Sequence, residues 1–84
     1  MQVHIFDIVV KRLSLQHIYF DVLVDSDNKD RVKEFAEIYL SSLGINSDSI
    51  TQLECDFCHS EIANPEVITV IEQHGYCIIP LRKS

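Results

Sequence analysis

The chain has 84 residues, of which 46% are hydrophobic and 24% charged, and a formal net charge of -6. That length forms one domain, residues 1–84, which buries only about 60–65% of the surface its unfolded chain exposes. The basic residues, Lys11, Arg12, Lys29, Arg31, Lys33, Arg82 and Lys83, make no stripe that could follow a phosphate backbone, so nucleic acid is excluded as the expected partner.

No run approaches the roughly 18–20 apolar residues of a membrane span. The opening MQVHIFDIVVKR lacks the basic start and apolar block of a secretory signal, so the expected location is the cytoplasm. From Gln2 to Lys11 the chain is rich in β-branched and aromatic residues and reads as a strand. LSLQ is a short loop, and His17–Val24 a second strand that pairs back as an antiparallel hairpin. Asp25, Ser26, Asp27 and Asn28 supply N-cap candidates for a helix over Asn28–Leu43. Its stripe is Val32, Phe35, Ala36, Tyr39, Leu40 and Leu43. Gly44 stands at the left-handed C-cap position, with Ile45 as the residue that folds back.

SITQLECDF alternates Thr51, Leu53, Cys55 and Phe57 against Gln52, Glu54 and Asp56, the pattern of a half-buried strand. Asn64, Pro65 and Gly75 then bracket a shorter helix over Pro65–His74. YCIIPL closes as a strand, with Pro80 at an edge or an end. The order is β-β-α-β-α-β. It predicts an α+β domain with a four-stranded mixed sheet and, by the right-handed crossover rule, both helices on one face. The four phenylalanines, Phe6, Phe20, Phe35 and Phe57, are expected in one core.

FDVLV, ECDFCHS and GYCI, in this order, resemble the small bacterial family called domain of unknown function 2024, and CDFCHS is the most specific piece. The pairs Phe6-Asp7 and Phe20-Asp21 fit as well. The resemblance spans nearly the whole chain. It implies a compact α/β fold of this element order and no established activity. Cys77 departs from it, because an aromatic residue is expected there.

Cys55, Cys58 and His59 spell the attachment motif of a c-type haem. Such proteins mature outside the cytoplasm, and Met1 is the only methionine, so covalent haem does not fit. A redox dithiol needs a helix N-terminus to depress its first thiol, whereas Cys55 lies in a strand pattern between Glu54 and Asp56. An odd count of three cysteines in a reducing compartment predicts free thiols. Zinc is the remaining cofactor to test. Cys55-x-x-Cys58 with His59, followed by His74-x-x-Cys77, has the outline of two short knuckles.

Asp7 and Asp21 sit mid-strand among apolar neighbours, where acids are rare. A hairpin centred near Ser14 sets them face to face, with His17 and Tyr19 on the same side as Asp21. Such a pair can share a proton or hold a cation, although structural networks perturb carboxylates as readily as catalytic ones do. There is no Gly-rich phosphate loop and no recognisable catalytic motif, so an enzyme is not the expected class. The reading is a small binding or interaction domain. It associates with itself as a homodimer through the sheet face that the helices leave open, or with a partner. The alternative is a zinc or thiol site at Cys55, Cys58, His59, His74 and Cys77.

Overall fold

The computed structural model describes residues 1–13 and 17–80; most of the first loop and the last four residues fall outside them. Four strands, β1 (Gln2–Arg12), β2 (Ile18–Val24), β3 (Ile50–Ile62) and β4 (Cys77–Pro80), alternate with two helices, α1 (Val32–Ser42) and α2 (Pro65–His74). The sheet order is β3-β1-β2-β4, and every neighbouring pair is antiparallel.

The helices begin and end where local chemistry requires. Asp25 caps a 3-10 segment, Ser26–Arg31, by accepting from the Asn28 amide at 3.1 Å, and α1 follows directly. The expected single helix from Asn28 therefore starts as a tighter turn. At its far end Gly44 has φ +76° and the Ile45 amide donates to the Leu40 carbonyl at 3.1 Å, so Ile45 folds back as expected. Asn64 caps α2 through the Val67 amide at 2.9 Å, and Gly75 ends it at φ +87°.

Two expectations need correction. The sheet is antiparallel throughout rather than mixed, and the helices lie on opposite faces. α1 brings Val32, Phe35, Ala36 and Leu40 onto Ile8, Val10, Phe20, Val22 and Val24. α2 brings Ile71, with Val67 and Val70 around it, onto Val3, Ile5 and Leu23, which alternate to the other side. The handedness rule constrains only connections between parallel strands. β2 and β3 run parallel but are separated by β1, so only the α1 crossover is bound by it. β3 and β4 run antiparallel at opposite edges, which leaves α2 free to cover the apolar residues on the second face.

The core is consequently centred on the β1–β2 hairpin. Five residues of β1 and four of β2 are buried. β3 is the longest strand, at 13 residues, yet none of its residues is fully buried. Phe57 in particular is 57% exposed, which corrects its expected place in the core. Its ring meets Phe6 edge-on, with centroids 5.5 Å apart.

Candidate functional site

The hairpin register sets Asp7 opposite Asp21, as the sequence predicts. The β1–β3 register also sets Asp7 opposite Asp56. Side chains of directly paired residues share a face, so Asp56, Asp7 and Asp21 form a row of carboxylates across three adjacent strands. Glu54 lies one step along β3 on the same face, where Lys11 reaches it at 3.6 Å. Like charges directly opposite one another are destabilising, so this row costs stability instead of adding it.

The row alters its own protonation. Burial, a hydrogen bond to Asp7 and repulsion from Asp7 raise Asp21 to about 6, while the positive charge of His59 opposes the rise. The Oδ1 atom of Asp21 is buried without a hydrogen-bond partner among the described residues.

A register shift between Ile5 and Phe6 inserts Cys58 as an extra residue in β3. Such a bulge re-aims side chains and twists the strand. Cys58 turns toward Asp7, and the His59 ring lies with Nδ1 3.1 Å from its Sγ and Nε2 3.5 Å from the Glu61 carboxylate. Glu61, His59 and Cys58 thus line up as a nucleophile relay would, but the charge environment opposes that chemistry. The Cys58 thiol is pushed up by loss of solvation, by Asp7 and Asp21, and by its hydrogen bond to Asp7. A reactive cysteine needs electropositive surroundings.

On the opposite face, α1 lies over β1 and β2 and stops short of β3. A cleft of about 390 Å³ opens between them. Leu40, Ile45, Ile50 and Leu53 provide its apolar surface, and Lys33 and Glu37 stand on the helix side. Cys55 and Phe57 continue this face of β3 by alternation, and Cys55 packs against the α1 core. The outer edge of β3 runs alongside the cleft with no neighbouring strand among the described residues.

The family model described as Domain of unknown function (DUF2024) matches residues 1–81. The chain belongs to this family. The NMR structure of protein NE1680 from Nitrosomonas europaea, a structural genomics target, is 38% identical to this DUF2024 chain. The match covers 96% of this chain and 95% of that one, with a TM-score of 0.75. Comparison with curated proteins gives no match. The resemblance read from CDFCHS and the paired Phe-Asp steps therefore holds, and neither description states an activity.

Of the five candidate zinc ligands of the DUF2024 chain, Cys58 and His59 meet at 3.1 Å, but the five do not come together as one set. Cys55 and Cys58 stand on β3 and Cys77 on β4, the two opposite edges of the sheet. Cys55 faces α1, Cys58 faces the carboxylates, and Cys77 packs with Leu23 and Ile71. His74 ends α2. Among the described residues no group of three or more histidines, cysteines or acids has metal-holding geometry. All three cysteines are free. Burial raises Cys77, and burial first, then Asp56 and Glu37 against the pull of Lys33, raises Cys55. His17 and Tyr19 do meet, with Nδ1 and the phenol oxygen 3.4 Å apart.

Sequence reasoning missed three features: Asp56 in the carboxylate row, the α1–β3 cleft, and buried His4. His4 bridges Ser60 at 2.7 Å and Ser26 at 3.0 Å, tying β3 to the start of the first helical segment. The alternation of Glu54 and Asp56 against Leu53 and Cys55 was visible, but it did not say which strand they would neighbour.

Proposed function

We propose that this protein is a cytoplasmic binding domain that takes an extended segment of a partner as a fifth strand on the outer edge of β3. The α1–β3 cleft receives the segment's side chains. The observation that carries this reading is that β3, the longest strand, has an edge unpaired among the described residues and no fully buried residue, beside an apolar cleft. Strand addition draws affinity from backbone hydrogen bonds along a free edge and specificity from pockets for alternate side chains. Proteins usually shorten or cover such an edge because it invites pairing. β4, at the other edge, carries Pro80, which has no N–H to offer an incoming strand.

Homodimerisation through the open sheet face is not retained in this reading. The apolar residues it would use, Val3, Ile5 and Leu23, lie under α2. What remains outside the α2 core on that face sets Val9, Tyr19 and Ile79 around a row of carboxylates, and burying those charges against a second sheet is costly.

The test is selection of binders from an unbiased library of short displayed peptides, followed by amide exchange on the complex. Bound peptide should slow exchange along β3 and shift resonances of α1 from Lys33 to Ser41. Selected peptides that leave the β3 amides unprotected would overturn the reading.

A further inference from the structure

The charge pattern along β3 specifies its occupant, an inference that rests on strand addition at that edge. The face of β3 toward α1 offers Leu53, Cys55 and Phe57, whereas the other face offers Glu54 and Asp56. Behind Asp56 stand Asp7 and then Asp21. A strand added beside β3 places its side chains about 4.5–5.5 Å from those directly opposite, and diagonal neighbours are within reach of long ones. Every second residue of the incoming strand therefore meets the cleft, and every other one meets carboxylates. Lys11 offsets part of the charge of Glu54 from the inner side, at 3.6 Å, with both groups exposed.

A second copy of this chain is poorly suited to the same edge. A two-fold axis perpendicular to the sheet keeps each face on its own side. Any register centred between Leu53 and Phe57 would set Glu54 or Asp56 of one copy directly against Glu54 or Asp56 of the other. The carboxylates guard the edge against self-pairing, a device natural sheets use against aggregation.

We infer that the partner of β3 is an extended segment alternating apolar residues, directed into the α1–β3 cleft, with lysine or arginine, directed onto Glu54, Asp56 and the carboxylate row behind them.

Three synthetic peptides test this. Two share the same alternating valine and leucine positions and carry lysine, or glutamate, between them; the third has the composition of the lysine peptide arranged in blocks. The alternating lysine peptide should bind at least tenfold tighter than either of the others, protect the β3 amides, and weaken as salt rises. The Glu54→Lys/Asp56→Lys protein should reverse the preference toward the glutamate peptide. Asp56→Asn, a milder change, should reduce the preference without reversing it, which covers loss of folding in the double variant.

Equal protection of β3 by lysine and glutamate peptides would overturn the charge inference and leave strand addition standing. Peptides that bind without protecting β3 would overturn both. Sedimentation showing a wild-type dimer that Asp56→Lys dissociates would give the edge to a second copy and overturn the inference as well.

Discussion

β1 and β3 are paired neighbours of similar length, 11 and 13 residues, but β1 is apolar on both faces from Val3 to Val10, whereas β3 alternates Leu53, Cys55 and Phe57 with polar residues. Five residues of β1 are buried and none of β3. Position adds to this difference in sequence, since β1 has a strand on either side and a helix over each face, whereas β3 has a neighbour on one side among the described residues and meets only the margin of the α1 core. The apolar residues on each face of a strand therefore set its capacity to be covered, and the packing of the other elements decides whether it is. In β1 that capacity becomes stability. In β3 it is left open, beside a cleft and under a row of charge.

Substitutions sharpen this contrast. Phe20, fully buried on the α1 face, should cost the most: Phe20→Ala is expected to lose about 3–5 kcal/mol, enough to unfold a domain of this size, as read by chemical denaturation. Ile71→Ala tests the independent core under α2 and should lose about 2–4 kcal/mol. A normal melting temperature for Ile71→Ala would mean that α2 does not seal the second face.

Asp21→Asn should act in the opposite direction. A carboxyl whose folded pKa is raised adds stability below its unfolded value, near 4, and that stability is lost as pH rises through about 6. The wild-type protein should therefore lose stability from pH 4 to pH 6 through this group. Asn at position 21 should flatten that dependence and gain about 1 kcal/mol at pH 7, a figure reduced for solvent screening. A pH profile identical to wild type would show that the carboxylate row is not strained. The smallest effect is expected at the open margin, where Phe57→Ala should cost about 1 kcal/mol or less because most of its ring stays in water. A loss as large as that of Phe20→Ala would erase the distinction between centre and margin.

Much of the fold could be read from local signals. The Asn64-Pro65 start, the Gly44 and Gly75 ends and the facing of Asp7 with Asp21 all follow from residues close in sequence. Features set by long-range choices could not be read in this way. The order β3-β1-β2-β4 determines that Asp56 joins Asp7, that the cysteines stand on opposite edges, and that the helices divide between the two faces. The bulge at Cys58 hid the second half of β3 for a local reason. One extra residue reverses the alternation, so the expected strand stopped at Phe57 while the real one continues to Ile62.

Amide hydrogen exchange along β3, with and without the alternating lysine peptide, tests the account most directly. In the free protein, amides directed at β1 should be protected and those directed outward should exchange quickly, giving a two-residue alternation in β3 that is absent from β1. Saturating peptide should slow the outward amides and leave those of β4 unchanged. Outward amides that are already slow in the free protein, or that stay fast when peptide is bound, would contradict the claim that the edge of β3 is the binding surface.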